Sequence, residues 1–267
     1  GGLALAEPGE VGGLLIRHRE LVWSLVSRDV KSRYKQAVLG VLWAILAPLA
    51  MMLVFSLVLS QFIPSPDPRV PYGVFVFSGL LPWNFLASSL TFGSMSLVGN
   101  SSILKKIAMP REVFPISAVL AGLVDLLLGL AVLFVLMLCL GLRPGVGVLA
   151  LPAVLLLELV LATGVALLLS TANLFFRDVR HIVPVLTILW MFMTPVVYPI
   201  THLGAEAQVL VRLNPATFVV DTFRSALLGL PLPGPGEWVR ASVLALTVLA
   251  LGWLVFRRCE PAFAEIV

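Results

Sequence analysis

The sequence predicts an all-α polytopic membrane protein with six transmembrane helices. Of its 267 residues, 60% are hydrophobic and only 12% are charged, and the mean hydropathy is +1.05. A soluble domain carries roughly a quarter charged residues, so this chain has too little polar surface to solvate a globule. Its apolar residues also form runs of about 20, the length that an α-helix needs to cross a bilayer.

The apolar runs define a transmembrane domain over residues 37–258. Proline interrupts the first and fifth spans, which membrane helices tolerate where neighbouring helices cover the lost hydrogen bond. The second span contains Gly79 and several serines, and these small residues favour close packing, so we expect it to be buried among other helices. The six spans are expected at about 37–62, 74–98, 114–140, 148–172, 182–198 and 238–256.

An amphipathic interfacial helix is predicted over residues 10–36. Val22, Leu25 and Val26 recur at steps of three and four residues, whereas cations occupy the other face. This pattern is typical of a helix lying among lipid headgroups with its apolar face towards the membrane. The alternative is a core-facing helix of a soluble domain. Residues 1–9 are expected to be a disordered or vector-derived end, and residues 259–267 a tail.

A re-entrant helical hairpin is predicted over residues 199–229, before the last span. Its two apolar segments are each too short to cross a bilayer. Asn214 and Pro215 are typical of an N-cap and of the first position of a helix. We expect that helix to continue to Leu228 and to end at Gly229.

Lysine and arginine indicate the orientation, because they concentrate in cytoplasmic loops. One side collects the N-terminal helix, the loops around Lys105 and Arg177, and Arg257 with Arg258. We therefore expect that side and both termini to be cytoplasmic and the hairpin to face outward. The net charge of +4 is explained by the same excess of lysine and arginine in cytoplasmic loops. No basic surface interleaved with aromatic residues suggests a nucleic-acid partner.

No motif predicts an enzyme. The chain lacks Gly-x-x-x-x-Gly-Lys-Ser/Thr, His-Glu-x-x-His and Gly-x-Ser-x-Gly, which carry nucleotide, zinc-peptidase and hydrolase chemistry. We predict neither a metal site nor a cofactor in this chain. Asp125 and Glu158 lie inside the third and fourth spans, where acids are costly. They either serve transport, or are satisfied by polar neighbours or by protonation.

Four motifs resemble the permease subunits of type-2 ABC exporters of polysaccharides, which include O-antigen, capsule and teichoic acid exporters. The resemblance runs from about Val11 to Arg258, and its most specific part is Arg-Tyr-Lys followed by Leu-Gly-x-Leu-Trp. The motifs are Arg28-Asp-Val-Lys-Ser-Arg-Tyr-Lys35, Leu39-Gly-Val-Leu-Trp43 with Pro48, Gly79-Leu-Leu-Pro-Trp83, and Asn214-Pro215 with Arg224.

The resemblance implies a homodimer that docks two copies of a separate ATP-binding subunit, which holds ATP and Mg²⁺. The substrate would be a lipid-linked polysaccharide, with O-antigen as the first candidate, moved from the cytoplasmic to the outer face of a bacterial plasma (inner) membrane. Asn214, Pro215 and Arg224 would belong to an outward gate. The residues implied in coupling to the ATPase are Lys105, Lys106, Met109, Pro110, Arg111, Arg177 and Asp178.

Two further sets of residues are candidates for the substrate path. Cations can meet the pyrophosphate of a lipid-linked glycan at the headgroups, so a substrate entrance is predicted at Arg28, Lys31, Arg33, Tyr34 and Lys35. Aromatic rings can stack on sugars, although aromatic residues also line any membrane interface. The candidates for lining a pore are Trp43, Phe55, Trp190 and Tyr198.

Three other functions remain open. The same architecture could export small amphiphiles or drugs. A membrane-embedded enzyme acting on lipid-linked sugars would need a convergent set of acids and bases, whereas the spans offer isolated Asp125 and Glu158. The chain could also be a structural or assembly subunit without transport.

Overall fold

The computed structural model describes residues 19–35, 39–63, 65, 67–106 and 110–263, and within these ranges all regular structure is helical. An all-helical polytopic protein is therefore confirmed. The α-helices in chain order are α1 Arg19–Tyr34, α2 Trp43–Leu59, α3 Tyr72–Met95, α4 Ser101–Lys106, α5 Val113–Cys139, α6 Leu151–Phe175, α7 Val179–Phe192, α8 Ala205–Leu213, α9 Pro215–Leu228 and α10 Pro235–Cys259.

Four of the described helices are long and apolar enough to cross a membrane: α3, α5, α6 with the turn before it, and α10 with the turn after it. They correspond to the second, third, fourth and sixth predicted spans. The other two predicted spans form shorter apolar helices, α2 with 17 residues and α7 with 14. At about 1.5 Å per residue, α2 is only about 25 Å long. Helix α7 ends at Phe192 rather than near 198, because Pro195 cannot donate the next helical hydrogen bond.

Helix α3 is the centre of the bundle. It packs against α2, α5, α6, α7 and α9, and 78% of its most apolar stretch is buried, against 28% for α10. The expected burial of the second span is thus confirmed. Hydroxyl groups of Ser78, Ser88 and Ser94 donate to carbonyl groups three residues earlier in the helix. These serines therefore place no unpaired donor in the apolar core.

Helix α1 packs on the bundle through the apolar face that the sequence identifies. Val22, Leu25 and Val26 are buried in a small core with residues of α4, α5 and α10, among them Phe256. The expectation that this face lies on lipid differs from the structure, in which it contacts protein. Both surroundings are apolar, so the pattern alone cannot distinguish them. Residues 10–18 and 36 lie outside the described residues.

Two short helices form in the predicted hairpin segment, with the caps that the local sequence predicts. Asn214 caps α9, its side-chain oxygen accepting from the Ala216 N–H at 3.0 Å, and Pro215 is the first residue of the helix. Gly229 ends α9 in the left-handed conformation, with φ 69°, which glycine adopts without strain. Helix α9 is buried against α3 and α6, whereas α8 has no buried residue.

Helices α6 and α10 touch through glycines. A Cβ atom on Gly164 would lie 2.6 Å from the Leu249 backbone nitrogen, and one on Gly252 would clash with the carbonyl oxygen of Gly164. Small residues at such crossings let helix backbones approach closely in lipid. Because the obstructing atoms belong to the backbone, neither helix can yield by a side-chain rotation.

Gly252→Ala is expected to lower the free energy of unfolding by about 3 kcal/mol, at the upper end of the usual cost of overpacking. Gly236→Ala is the matched control, because it lies in the same helix with open space around its Cβ position. The measurement is the Tm of the purified protein in detergent. Equal Tm values for the two variants would contradict the close crossing.

Candidate functional site

Two polar clusters lie at opposite ends of the bundle. We call the end that carries α8 and α9 the hairpin end, and the end that carries α1 and α4 the basic end. Each cluster joins a predicted functional segment to a membrane helix.

At the hairpin end, side chains from two other helices hold the turn that follows α7, residues 194–197. Arg224 of α9 donates to the carbonyl oxygens of Pro195 and Val196, at 3.0 and 2.7 Å. The Tyr72 hydroxyl of α3 donates to the next carbonyl oxygen of the turn, at 2.6 Å. Three consecutive carbonyl groups are therefore fixed, and α3, α7 and α9 are joined at one point.

Asn214 holds the same turn from the start of α9. Its amide nitrogen donates to the Thr194 hydroxyl at 2.9 Å, and its oxygen accepts from Trp190 Nε1 at 3.0 Å. The Trp190 ring lies edge-on to that of Trp83, with centroids 5.8 Å apart. The predicted gate residue Asn214 thus contacts the predicted pore residue Trp190 directly, and α3 supports both.

Arg224 is buried, and both of its Nη atoms have partners. Its guanidinium lies 3.8 Å from the centroid of the Phe75 ring and 3.4 Å from Asp221. Burial lowers the pKa of Arg224 to about 10, and Asp221 opposes this shift, so Arg224 is still a cation at neutral pH. Burial raises the pKa of Asp221 to about 6, while Arg224 and Arg212 pull it down and Glu237 pushes it up.

Gly79 makes room for this arrangement. A Cβ atom at this position would clash with Nη2 of Arg224 and lie 2.9 Å from the carbonyl oxygen of Val196. The guanidinium therefore needs a residue without a side chain on the facing turn of α3. The Gly79–Trp83 motif and the Asn214 and Arg224 positions, which are far apart in sequence, meet here.

At the basic end, Arg33 and Tyr34 join α1 to α5. Arg33 donates to the Asp125 carboxylate at 2.9 Å and to the Ala118 carbonyl oxygen at 3.1 Å. Its guanidinium also lies 4.1 Å from the Phe92 ring centroid, and its side chain is only 8% exposed. The Tyr34 hydroxyl donates to the other oxygen of Asp125 at 2.5 Å. Asp125 therefore pairs with the last turn of α1.

Burial raises the pKa of the Tyr34 hydroxyl, and the hydrogen bond to Asp125 and the charge of that carboxylate raise it further, while Arg33 opposes the shift. Tyr34 is thus a neutral donor at physiological pH, as the hydrogen bond requires. Sequence reasoning missed this cluster, because Asp125 stands 92 residues from Arg33. The one available signal was that an acid inside a span needs a partner.

The other three predicted entrance residues are exposed to solvent or lipid rather than paired with Asp125. Arg28 is exposed and pairs with Asp29 at 3.0 Å, and Lys31 and Lys35 are exposed. The five candidates therefore divide into three exposed cations and the pair that contacts Asp125. Of these, Lys31 and Lys35 are available to a phosphate group without breaking an ion pair of the described structure.

The predicted coupling residues also differ in their surroundings. Arg111 donates to the carbonyl oxygen of Glu260, and Arg257 pairs with the buried Glu112 at 2.9 Å and with Glu260 at 3.0 Å. The segment before α5 is thus tied to the end of α10. Of the remaining candidates, Lys105 and Lys106 lie in α4, Pro110 is half-buried, Arg177 and Asp178 are exposed, and Met109 lies outside the described residues.

The predicted pore residues are not gathered in one place. Trp43 is exposed at the start of α2, and Phe55 packs against the main core. Tyr198 donates to the Phe192 carbonyl oxygen at 2.9 Å. Glu158 is buried in α6, and neither carboxylate oxygen has a hydrogen-bond partner within the part of the chain that the structure describes.

The described residues contain no group of three His, Cys, Asp or Glu side chains that could hold a metal ion. The polar side chains of the two clusters connect helices to one another. Each uses charge-assisted hydrogen bonds to carboxylate or carbonyl oxygens, which are the stronger class of hydrogen bond. They link helices that are distant in sequence.

Comparison with known proteins identifies the family. The sequence profile of the ABC-2 type transporter family matches residues 20–228, from α1 to the end of α9, and so includes both clusters. The chain belongs to the ABC-2 type transporter family. It is therefore a multi-pass transport subunit rather than an enzyme, and it works with an ABC ATPase partner.

Individual relatives match this ABC-2 transporter over nearly its whole length. It is 31% identical over 253 residues to the O-antigen export system permease protein RfbA of Myxococcus xanthus, covering 94% of this chain and 96% of that protein. It is 29% identical over 252 residues to a protein of the same name from Klebsiella pneumoniae, covering 93% and 95%. It is 27% identical over 251 residues to the polysialic acid transport protein KpsM of Escherichia coli, covering 90% and 94%.

Proposed function

We propose that this chain is the membrane-spanning subunit of an ABC exporter that moves a lipid-linked polysaccharide across the bacterial plasma membrane. The observation that carries the proposal is the similarity to O-antigen export permeases over more than nine-tenths of both chains. O-antigen is accordingly the first candidate substrate. The direction is from the cytoplasmic face, where the partner ATPase binds ATP and Mg²⁺, to the outer face.

The basic end is the cytoplasmic side in this proposal. Its described cations include Arg28, Lys31, Arg177, Arg180 and Arg258, as the positive-inside rule favours. Both termini are then cytoplasmic. Helices α2 and α7 are the first and fifth of six spans, and α8 and α9 form a re-entrant hairpin at the outer face.

A homodimer places α2 and α7 of two copies around a central path. Each of these helices packs against α3 and leaves most of its surface exposed. Pro48 is the buried residue of α2, and Val183, Thr187 and Met191 are those of α7. Apolar faces of this extent fit a second copy, with membrane lipid covering the remainder. The large exposed residues on them include Trp43, Leu53, Val54, Leu57, Val58, Ile182, Val185, Leu186, Ile188 and Leu189.

The contacts within the chain support a mechanism in which helices move in linked pairs. Two copies of the ATPase act on α4 and on the exposed Arg177 and Asp178 at the basic end. The ion pair between Arg33 and Asp125 makes α1 follow α5. The bonds from Asn214 and Arg224 to the 194–197 turn make the hairpin follow α7, so separation of α7 from its counterpart also opens the outer gate.

The test uses the chain co-purified with its ATPase in lipid nanodiscs. We expect the lipid-linked glycan of the source organism to stimulate ATP hydrolysis, and a panel of hydrophobic drugs to have no effect. An ATPase variant that lacks its phosphate-binding lysine gives the background rate. Stimulation by the drugs and not by the glycan would replace the proposal with export of small amphiphiles.

A further inference from the structure

A cavity lies at the hairpin end. It has a volume of about 380 Å³ and is enclosed by α9, the 199–201 segment, the 230–234 loop and the first turns of α10. This volume falls within the roughly 300–1,000 Å³ range of small-molecule sites. Residues 194–197 do not line this cavity, whereas Arg224, which holds that turn, does.

Two buried polar groups on the cavity wall have no hydrogen-bond partner in the described structure. Thr217 is 2% exposed and its hydroxyl oxygen is unpaired, and Nε of Arg224 is unpaired although both Nη atoms have partners. An unpaired buried polar group costs free energy, so native proteins rarely keep one without a use. The wall therefore offers a fixed N–H donor and a hydroxyl group.

Two carboxylates on the cavity wall can also accept hydrogen bonds, although each is already paired with an arginine. Asp221 accepts from Arg224 at 3.4 Å, and Glu237 accepts from Arg212 at 3.1 Å. These two ion pairs neutralise Arg224 and Arg212, so Arg240 is the one lining cation without a carboxylate partner in the described structure, and the wall holds little net charge for a phosphate group. The unpaired donors disfavour an acyl chain. A sugar ring suits both constraints, because each hydroxyl group can donate and accept at once. The apolar part of the lining, including Leu232, matches the C–H faces of such a ring.

We infer that this cavity binds one neutral sugar ring of the exported glycan, with Thr217, Asp221 and Nε of Arg224 contacting it from α9 and Glu237 contacting it from α10. The inference rests on the proposed function, which places the hairpin end at the outer face. The site would hold the glycan as it leaves the central path and so give export a preference for certain sugars.

The test measures binding of free D-glucose, D-galactose, D-mannose and L-rhamnose to the full transporter complex in nanodiscs, by saturation-transfer NMR. Thr217→Val removes the unpaired hydroxyl group with little change in shape. We expect it to weaken the binding of the preferred sugar about five- to tenfold, which is the usual worth of one hydrogen bond. Thr222→Val is the matched control, because Thr222 is a fully buried threonine of the same helix, also unpaired, that does not line the cavity.

Asp221→Asn gives a second variant, which we expect to weaken binding because it converts two acceptor oxygens into one. Equal binding by both threonine variants, binding of none of the four sugars, or displacement of the sugar by inorganic phosphate would each overturn the inference. These outcomes leave the proposed function standing if the lipid-linked glycan still stimulates ATP hydrolysis. Loss of that stimulation in the native complex removes the proposed function instead.

Discussion

Gly79→Ala is expected to reduce polysaccharide export to less than a tenth of the native level. The added methyl group would clash with Nη2 of Arg224 and press on the carbonyl oxygen of Val196. Arg224 is held by two carbonyl groups, by Asp221 and by the Phe75 ring, so it has no alternative position of similar energy. A cation desolvated over an aromatic face contributes about 2 kcal/mol, and this contact would be lost together with the hydrogen bonds.

The matched control is Gly73→Ala in the same helix, where a Cβ atom would lie 3.4 Å from the Ser56 hydroxyl oxygen, an ordinary contact. Both substitutions raise helix propensity by the same amount, so the difference between them reports the clash alone. The measurement is the amount of glycan on the cell surface at matched levels of membrane protein. If both variants export equally, Arg224 does not couple the hairpin to α7 in the way proposed.

Asp125→Asn is expected to reduce export about tenfold while the protein still inserts in the membrane. Removing one partner of a fully buried ion pair costs about 3–5 kcal/mol; since Asp125 is part-exposed, we expect about 2 kcal/mol here. Arg33 and Tyr34 would then share one neutral acceptor oxygen in place of the two oxygens of a carboxylate, and α1 would follow α5 less closely. Asp29→Asn is the matched control, because its pair with Arg28 is exposed and such pairs are worth about 0.5 kcal/mol.

This experiment also separates two roles for Arg33. If Arg33 acts only in a substrate entrance, Asp125→Asn leaves its positive charge in place and export should persist. If Arg33 anchors α1 to α5, the same substitution removes the anchor and export should fall. Charge reversal at Lys31 and Lys35, which leaves the pair of Arg33 with Asp125 intact, tests the entrance itself, and it is expected to abolish export. Export at the native level after that reversal would contradict the predicted substrate entrance. The ion pair has its own test: the double variant Arg33→Glu with Asp125→Arg should regain part of the export that Arg33→Glu alone loses.

The hairpin shows how far local rules reach. The N-cap Asn214, the first helical residue Pro215 and the left-handed Gly229 act within one or two turns, so their roles follow from the sequence and the structure confirms them. The same holds for the burial of α3, because small and hydroxyl residues mark a helix that packs closely in lipid. The family resemblance, read from four short motifs, is also confirmed.

The substrate-path residues show where local rules end. The sequence places Arg33 among the headgroup cations and leaves Asp125 without a partner, and only folding brings the two together across 92 residues. Trp190 is a candidate for the pore by its type, but in the structure it donates to Asn214. The short helix α7 likewise ends where its turn is bonded by Arg224, a residue of another helix.

The amino-acid order therefore determined the number and character of the apolar runs, the face of α1 that avoids water, and the caps of α9. These properties depend on composition and on periods of three or four residues. The tertiary structure determined which apolar surface meets protein, which acid meets which cation, and why position 79 requires glycine. Those contacts depend on distances between helices that are remote in sequence. The hydrophobic effect is non-directional, so an apolar pattern does not specify which partner a helix meets.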